Sequence, residues 1–388
     1  MRVQINLALT YAVLLLTAWS TNCLAIDFPY RSFAQTFGQA AAVEDFSFDH
    51  GNFAFRDFQR NINSTDSGSL QVIASPGTFI PDSGFFLDDV GFPSLDGHTV
   101  AFSGLTGDVV LRHTNGAFAL VSNDRILGHP IARDGRVAVV GGAGIVVESN
   151  GASQVLVNSL PAGLIFGGRQ FEERISYDGQ HAAYIGYKTD PFVQQMGIYK
   201  DDLGNSHTVA DINTAIPGGT GNFLRFDDPA IDAGKVAFAG FGQNGQSGIY
   251  SDLTGTLTAL VDRNTPVPGG GQFLHFDGLA PAFDQGHIAF VARILDTDNS
   301  EKFALFTNAT GPLTRIVSER DQLGLDERLE LSNNGAGKSR VWLRGNELAF
   351  NSFDTRGDIY VVTVPEPSSF ILAALGLIGL VVWRLRRR

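Results

Sequence analysis

The side chains that usually perform chemistry are present in this sequence, but their spacing matches no catalytic or metal-binding pattern. None of the eight histidines belongs to a His-Glu-x-x-His segment or a comparable metal-ligand spacing. His98 and His287 follow the glycine of the same short pattern, and His181 lies one position further on. Other copies of the pattern have Asn, Arg or Lys nearby. We therefore expect a solvated position at the start of a strand and not a ligand.

Three pairs of adjacent carboxylates raise the question of acid–base chemistry, because glycosidases use two carboxyl groups about 5–9.5 Å apart. The pairs are Asp88-Asp89, Glu172-Glu173 and Asp227-Asp228. Adjacent residues of a strand point to opposite faces, so no pair forms such a site by itself. The recurrence of an acid at Asp88, Glu172, Asp227 and Asp277 favours hydrogen bonds in turns or between repeats. A ring of these acids that binds Ca²⁺ through several oxygens is the alternative.

Nucleophile and phosphate-binding patterns are also missing from the sequence. It has no Gly-x-Ser-x-Gly segment, and no Lys-Ser/Thr follows the glycine-rich segments 218–221 and 269–271. These glycines are typical of turns between strands. The sequence therefore predicts no catalytic residue, no cofactor-binding residue and no metal ligand, and Ca²⁺ is the one cofactor kept open.

A short repeat must position whatever site exists. Each copy has a glycine, an apolar residue, an alanine and an apolar or aromatic residue, as in Gly234-Lys235-Val236-Ala237-Phe238. The alanines are Ala54, Ala101, Ala138, Ala183, Ala237, Ala289 and Ala349, separated by 37 to 60 residues. Longer matches support the repeat, since Ile216-Pro217-Gly218-Gly219 parallels Val267-Pro268-Gly269-Gly270. Further apolar segments follow each alanine, so each unit reads as about four short strands.

Seven four-stranded units with a period near 50 residues predict an all-β fold, a β-propeller with seven blades. Turns such as Asp96-Gly97, Asp134-Gly135 and Asp178-Gly179 would close the first hairpins, because Asp-Gly tolerates positive φ. The last unit stops after Ile359–Thr363, and Pro29–Phe37 could supply its fourth strand and close the ring. A β-solenoid or a twin β-sandwich is the alternative, although both fit the repeat less well.

Composition agrees with a β-rich exported body. The 388 residues include 45 glycines, 30 phenylalanines and one cysteine, and 18% are charged. One cysteine excludes both an internal disulfide and a cysteine-ligated metal cluster. Removal of residues 1–25 and 368–388 takes away five arginines and no acid, and changes the formal net charge from −12 to −17. Such an acidic body repels phosphate backbones, so nucleic acid is not an expected partner.

The N-terminal residues 1–25 have the pattern of a secretory signal peptide. Arg2 is the positive region, Leu7 to Trp19 are the apolar region, and Ala25 is the small residue before the cleavage point. A buried N-terminal helix is the alternative. The secretion translocon is therefore an expected partner, and the mature chain would contain no cysteine.

The C-terminal residues 364–388 have three parts in order. Pro365, Glu366 and Pro367 come first, and an uncharged apolar run from Phe370 to Trp383 follows. The basic tail contains Arg384, Arg386, Arg387 and Arg388. As a helix the apolar run spans roughly 21 Å, which is short of a bilayer core of about 30 Å. The arginines nevertheless fit a membrane stop with the tail in the cytoplasm.

This C-terminal arrangement resembles the PEP-CTERM sorting signal of bacterial surface proteins. The resemblance implies processing by an exosortase-type enzyme, cleavage near Pro365–Pro367, a transient inner-membrane intermediate and delivery to the cell surface or outside the cell. A plain C-terminal membrane anchor is the alternative. The resemblance says nothing about the activity of the body, which we assign to residues 26–363.

Together these features predict an exported β-propeller with a non-catalytic binding or structural role at the surface or in the matrix. The sorting signal suggests a link to exopolysaccharide or biofilm, with an extracellular polysaccharide as partner. The alternative is a secreted polysaccharide-active enzyme, a hydrolase or a lyase, on the same scaffold. Because propellers host both, only side chains particular to single repeats that converge on one rim would separate the two.

Overall fold

Seven antiparallel sheets follow one another along the chain in a computed structural model. The structure describes residues 30–32, 43–80, 84–104, 109–122, 128–141, 144–149, 151–157, 164–166, 175–188, 196–202, 204–276, 280–319, 321, 340–351, 358–364 and 384. Each sheet is one blade, and strands are numbered from β1 (Tyr30–Ser32) in chain order. The predicted all-β fold with seven blades is confirmed.

Blades 1 to 3 each contain four consecutive strands. Blade 1 has β2 (Val43–Asp49), β3 (Asn52–Asp57), β4 (Ile62–Ser64) and β5 (Gln71–Ala74), and the small hairpin β6 (Phe79–Ile80) and β7 (Phe85–Phe86) follows it. Blade 2 has β8 (Ser94–Asp96), β9 (Thr99–Gly104), β10 (Val109–Thr114) and β11 (Ala117–Ser122). Blade 3 has β12 (Ile131–Arg133), β13 (Arg136–Gly141), β14 (Gly144–Ser149) and β15 (Ala152–Val157).

In blades 4 to 6 two short strands pair with the same side of the second strand. Blade 4 has β16 (Leu164–Phe166), β17 (Ser176–Tyr177), β18 (Ala182–Lys188), β19 (Met196–Asp202) and β20 (Asn205–Asp211). Blade 5 has β21 (Phe223–Phe226), β22 (Ala230–Asp232), β23 (Lys235–Gly242), a 3-10 turn (Gln243–Gly245), β24 (Ser247–Ser251) and β25 (Thr258–Asp262). Blade 6 has β26 (Gln272–His275), β27 (Ala282–Asp284), β28 (His287–Leu295), β29 (Glu301–Thr307) and β30 (Thr314–Ser318).

The first strand predicted for blades 5 and 6 is therefore divided, with Phe226 and His275 ending one piece and Ala230 and Ala282 beginning the next. The residues immediately before the second pieces are Pro229 and Pro281. Proline lacks an N–H for the ladder and is found at the start of a strand or at a break in pairing.

The last blade joins the two ends of the chain. Blade 7 has β31 (Val341–Arg344), β32 (Glu347–Asn351) and β33 (Ile359–Thr363), and its fourth strand is β1. Tyr30 pairs with Val362 and Ser32 with Tyr360 in antiparallel register. The predicted closure of the ring by the segment before the first unit is confirmed.

Two-residue hairpins connect the first strands of several blades, but of the predicted Asp-Gly turns only Asp134-Gly135 has the aspartate in the turn; Asp96 ends β8, and the turn is Gly97-His98. Asp134 and Gly135 have φ values of 51° and 71°, a combination of two positive φ angles that a two-residue hairpin requires. Ala233 and Gly234 adopt similar values, 47° and 71°.

The repeat alanines and phenylalanines form the contacts between blades. All seven repeat alanines have 0% exposed surface. Aromatic rings pack around them, with the rings of Phe223 and Tyr250 at 4.9 Å and those of Phe273 and Phe306 at 5.0 Å. A small residue lets adjacent sheets approach, and the rings fill the remaining space.

The innermost strands of neighbouring blades contact one another around the whole ring, and β31 meets β2 to complete it. These strands are β2, β8, β12, β17, β22, β27 and β31. They surround a central channel whose cavity has a volume of about 170 Å³.

Candidate functional site

The repeat alanines give the innermost strands a common register. Each alanine pairs with one residue of the innermost strand of its blade. These partners are the middle ring: Ser47, Ser94, Ile131, Ser176, Ala230, Ala282 and Trp342. Because side chains two positions apart lie on the same face of a strand, this register defines two further rings.

The hairpin ring lies two positions after the middle ring, next to the turn into the second strand. Its members are Asp49, Asp96, Arg133, Asp178, Asp232, Asp284 and Arg344. The rim ring lies two positions before the middle ring, towards the other end of the channel. Its described members are Asp45, Phe92, His129, Asp228, Ala280 and Arg340, and the blade 4 member, Arg174, lies outside the described residues.

The aspartates of the hairpin ring connect neighbouring blades. Each carboxylate accepts a hydrogen bond from a backbone N–H in the hairpin of the next blade. The pairs are Asp49 with Gly97 (2.9 Å), Asp96 with Gly135 (2.9 Å), Asp178 with Gly234 (2.7 Å), Asp232 with Gln285 (2.8 Å) and Asp284 with Gly345 (2.7 Å). Hydrogen bonds to a charged acceptor are stronger than neutral ones, so this ring stabilises the closed propeller.

Serines of the middle ring make a second set of contacts between blades. The hydroxyls of Ser47, Ser94 and Ser176 accept hydrogen bonds, each 2.9 Å long, from a backbone N–H of the following blade. The donors are Leu95, Ala132 and Ile231. Both sets recur around the ring, and such recurrence is typical of a structural role.

Two arginines replace the aspartate of the hairpin ring and link blades across the channel. The guanidinium of Arg133 lies 3.5 Å from the carboxylate of Asp232 and 3.4 Å from that of Asp284. The guanidinium of Arg344 lies 3.4 Å from Asp49 and 3.8 Å from Asp284. Blade 3 is thereby connected to blades 5 and 6 at this end of the channel.

Burial and hydrogen bonds move the pKa values of this ring in different directions. Burial alone would raise the pKa of Asp178, but backbone hydrogen bonds from His181, Gln180 and Gly234 hold it below its ordinary value. Burial raises the pKa of Asp232, although Gln285 donates a hydrogen bond to its carboxylate.

Burial also lowers the pKa of Arg344, and the positive charge of Arg133 adds to this effect. The hairpin ring therefore holds its buried charges through specific partners on neighbouring blades.

The rim ring differs from the other two because its described members differ from blade to blade. Phe92 contacts two other members of the rim ring. Its ring lies 4.2 Å from the imidazole of His129, in an edge-on arrangement, and 5.6 Å from the guanidinium of Arg340. The guanidinium of Arg56 lies 5.8 Å from the same ring. Arg340 also forms an ion pair of 2.6 Å with the buried carboxylate of Asp45.

The arginines that line the cavity are each paired with a carboxylate of the hairpin ring or the rim ring. Arg133, Arg340 and Arg344 line the cavity, together with one carboxylate, that of Asp228. Trp342 lines it as well, and its indole N–H donates a 3.0 Å hydrogen bond to the carbonyl of Phe46. The channel can therefore offer cationic and aromatic groups to a ligand that approaches from the rim.

Other acids highlighted by the sequence lie elsewhere. Asp88 is exposed, and the carboxylate of Asp89 pairs with Arg60 at 2.9 Å. Asp228 is in the rim ring, so the Asp227-Asp228 pair contributes one residue to the channel lining. Glu172, Glu173 and Asp277 lie outside the described residues. Within the described ranges no group of three or more His, Cys, Asp or Glu side chains could hold a metal ion.

The three histidines with related repeat positions all have a nearby hydrogen-bonding atom. Nδ1 of His98 lies 2.9 Å from the carbonyl of Asp66, and Nδ1 of His287 lies 3.2 Å from the carbonyl of Asn308. Nδ1 of His181 lies 3.0 Å from the carboxylate of Asp178. His98 is exposed, whereas the other two are half-buried.

Of the predicted signal and sorting residues, the structure describes Arg384, which is exposed. Ala25, Pro365, Glu366, Pro367, Arg386, Arg387 and Arg388 lie outside the described residues. Over the part of the chain that is described, no helix has the length and apolar character needed to cross a membrane.

Comparisons with known proteins identify two segments. Residues 56–334 match the sequence profile of a family of unknown function, DUF7453. Residues 363–388 match the PEP-CTERM protein-sorting motif, which confirms the resemblance of the C-terminus. No curated protein matches the sequence.

Several solved structures are similar in fold. A chain of the mitotic checkpoint complex is 14% identical with a TM-score of 0.45, and the match covers 89% of this chain and 98% of that one. The β-propeller domain of Cps50 (Swd1) from Myceliophteria thermophila is 10% identical with a TM-score of 0.43, covering 87% and 100%. A putative TolB from Agrobacterium tumefaciens is 14% identical with a TM-score of 0.34, covering 77% and 95%. These structures indicate neither an activity nor a ligand for this chain.

Proposed function

The chain belongs to DUF7453 and is an exosortase-sorted surface protein with a propeller fold, and from that premise we propose that it is a non-catalytic binding protein of the extracellular matrix. Its ligand is an extracellular polysaccharide with anionic groups. The binding site is the rim end of the central channel.

The observation that carries this proposal is the contrast between the rings. The hairpin ring repeats an aspartate because each aspartate joins two blades. The rim ring has no such repeat among its described members: Asp45 lies in β2, and the others lie one or two residues before the first residue of their innermost strand. Side chains that differ between otherwise equivalent repeats favour a ligand over a structural requirement.

The charge of the channel supports an anionic ligand. The exported body has a formal net charge of −17, yet Arg133, Arg340 and Arg344 line the cavity, and a ligand carboxylate would compete there with the ring aspartates that now pair with them. Arginine presents a planar set of donors that matches a carboxylate. Phe92 and Trp342 offer apolar faces beside these charges. An acidic sugar unit combines an anionic group with an apolar ring face.

The rival assignment, a hydrolase or lyase, finds less support. A glycoside hydrolase of the usual kind uses two carboxyl groups with separate tasks. Asp45 and Asp228 are the carboxylates of the described rim ring, and Asp45 is already paired with Arg340 at 2.6 Å. Asp228 alone does not make up an acid–base pair.

The proposed route to the surface begins with the leader. Residues 1–25 direct the chain to the secretion translocon and are removed after Ala25. The C-terminal segment then holds the body at the inner membrane until an exosortase-type enzyme releases it. This route places the channel on the outside of the cell, where a matrix polysaccharide is available.

Glycan-array binding by the full chain tests the channel. We expect uronate-containing oligosaccharides to bind, and the double variant Phe92→Ala, His129→Ala to lose about tenfold in affinity, a loss of about 1.4 kcal/mol. The control is Phe58→Ala, His207→Ala, which changes the same residue types at exposed positions.

Equal binding by the two double variants would contradict the channel as the site. If the protein released new reducing ends from a bound polysaccharide, the assignment as a non-catalytic binding protein would be wrong and the enzyme assignment would take its place.

A further inference from the structure

A second cavity lies on blade 5, outside the central channel. Its volume is about 370 Å³, and it is bounded by the segment 216–220, the segment 244–247 and the turn 262–264. We propose that this blade 5 groove binds a neutral saccharide unit through the sugar hydroxyls. The choice of a saccharide rests on the proposed function, whereas the position of the groove does not.

The walls of the groove are fixed by hydrogen bonds within the protein. In the first wall, Gly219 N–H donates to the carbonyl of Ile216 at 3.1 Å, and Ile216 N–H donates to that of Gly221 at 3.0 Å. The second wall is tied to the third, because the Arg263 guanidinium donates a 2.8 Å hydrogen bond to the carbonyl of Gly245. A preformed groove loses little conformational entropy when a ligand binds.

The third wall is a turn closed by a carboxylate. Asp262 accepts hydrogen bonds from the N–H of Asn264 at 2.9 Å and from the hydroxyl of Thr265 at 3.0 Å. Its charge is thus engaged within the turn, and Arg263 offsets it nearby.

The groove contains hydroxyl groups at its base. The side chain of Ser247 is buried with 3% exposure, and its hydroxyl has no hydrogen-bond partner in the protein. Tyr250 supplies a second hydroxyl to the lining, and it is neutral at physiological pH, as tyrosine ordinarily is. A buried polar group without a partner costs free energy, which a bound hydroxyl group could offset.

The next repeat has different side chains at the positions equivalent to the lining of the groove. The strand register places Phe303 and Phe306 of blade 6 where blade 5 has Ser247 and Tyr250. It also places Arg315 where blade 5 has Ala259. Blade 5 therefore has two hydroxyl side chains where blade 6 has two phenylalanines, and a small alanine where blade 6 has a long arginine.

Arg315 fills the space that is open in blade 5. A Cβ added to Gly269 would lie 2.5 Å from the Arg315 guanidinium, whereas one added to the equivalent Gly218 would meet nothing within 4 Å. Arg315 is held there by an ion pair of 3.2 Å with Asp296. The Pro-Gly-Gly segment is common to both blades, so the difference comes from side chains particular to blade 5.

The chemistry of the lining selects the class of ligand. Besides the two hydroxyls, the groove presents the side-chain amides of Gln246, Asn264 and Gln272. Amides and hydroxyls both donate and accept hydrogen bonds, as sugar hydroxyls do. The formal charges of Asp262 and Arg263 cancel, so neither an anion nor a cation is favoured.

The test is a glycan array probed with the full chain, on which neutral oligosaccharides and uronate-containing oligosaccharides form separate sets. Ala259→Arg places the blade 6 side chain in the groove. We expect it to lose about tenfold or more in affinity for the neutral set and to bind the uronate set unchanged. The control is Thr208→Arg, the same strand position in blade 4, where the side chain is exposed.

A second variant guards against misfolding. Asn264→Ala, Gln272→Ala removes two exposed amides of the lining without adding volume, and it should also weaken binding to the neutral set. If no neutral oligosaccharide binds the natural chain, the proposal for the groove is wrong. If the uronate set still binds in that experiment, the proposal for the channel stands. Equal binding of the neutral set by the natural chain and both variants would overturn the groove as well.

Discussion

A single carboxylate of the hairpin ring stabilises two blades at once. Asp178 accepts hydrogen bonds from Gln180 and His181 in its own turn, at 2.9 Å and 2.7 Å. It accepts a third from Gly234 of the next blade, at 2.7 Å. The local bonds shape the hairpin, and the distant bond fixes the neighbour against it. The ionised form is the better acceptor, so these bonds hold the pKa of Asp178 below its ordinary value.

We predict that Asp178→Asn destabilises the protein by about 1–3 kcal/mol at neutral pH, because an amide oxygen is a weaker acceptor than a carboxylate. The pKa of Asp178 is lowered in the folded state, so its contribution is present above its ordinary value of 3.8 and lost as pH falls through the folded value. Urea unfolding at several pH values should therefore show the difference between the two proteins shrink towards low pH.

Asp232→Asn is the matched control for that experiment. The pKa of Asp232 is raised in the folded state, so its contribution is present below 3.8 and declines as pH rises through the folded value. The pH dependence of the two variants should have opposite signs. The same slope for both would mean that the hydrogen bonds do not control the ionisation of Asp178.

At this scale the sequence predicted the turns but not their partners. Asp96-Gly97 and Asp134-Gly135 are recognisable as turns because the signal is local. The bond from Gly135 N–H to the Asp96 carboxylate crosses from one blade to the next, and no spacing within a single turn indicates it. Counting from the repeat alanine would have aligned the aspartates, since the strand register fixes the distance between them.

Among the elements, β1 has the largest effect for its size. Three residues, Tyr30–Ser32, complete the sheet of blade 7 by pairing with β33. Without β1, the backbone donors and acceptors on one side of β33 would be exposed as an edge. The same pairing ties the first strand of the chain to its last one, so the contacts of blade 7 with blade 1 also depend on it.

We predict that replacing residues 30–32 by Gly-Ser-Gly lowers the free energy of unfolding by about 1–2 kcal/mol, because each of the two new glycines weakens a strand by about 0.5–1 kcal/mol. The exposed edge should also increase aggregation. Thermal unfolding and light scattering measure the two effects. The control is Ser67→Gly, Ser69→Gly in an exposed turn of blade 1, which adds two glycines and leaves Gly68 with its φ of 84° unchanged, and an equal effect of both changes would contradict a special role for β1.

The regular elements were predictable because they depend on repeated local patterns. The alanine marks the second strand of every blade, and each alanine has 0% exposure because it lies between packed sheets. The division of the first strand in blades 5 and 6 was not predicted. Pro229 and Pro281 signal it, but the two pieces are recognised as one broken strand only when both pair with the same neighbour.

For the whole molecule, the ring combines a repeated framework with positions that vary from blade to blade. The framework consists of the alanines, the aspartates of the hairpin ring and the serines of the middle ring. The rim ring and the blade 5 groove depart from it, and both departures are visible only after the repeats are aligned by strand register. A search for consecutive catalytic motifs could not find them, because the rim ring is contributed by separate blades and the groove by separate segments of blade 5 together with Gln272.

The sorting motif and the body have separate roles, and this separation can be tested. Replacement of Pro365, Glu366 and Pro367 by alanines removes the triplet and leaves the apolar segment and the arginines unchanged. We predict that the uncleaved protein then accumulates in the inner membrane, where fractionation and the mass of the intact chain would detect it. Alanine at Ser368 and Ser369 is the control.

Because the triplet lies beyond β33, the last strand of blade 7, the purified variant should retain the unfolding midpoint and the glycan binding of the natural chain. Unchanged delivery to the surface would show that the triplet is not required for sorting.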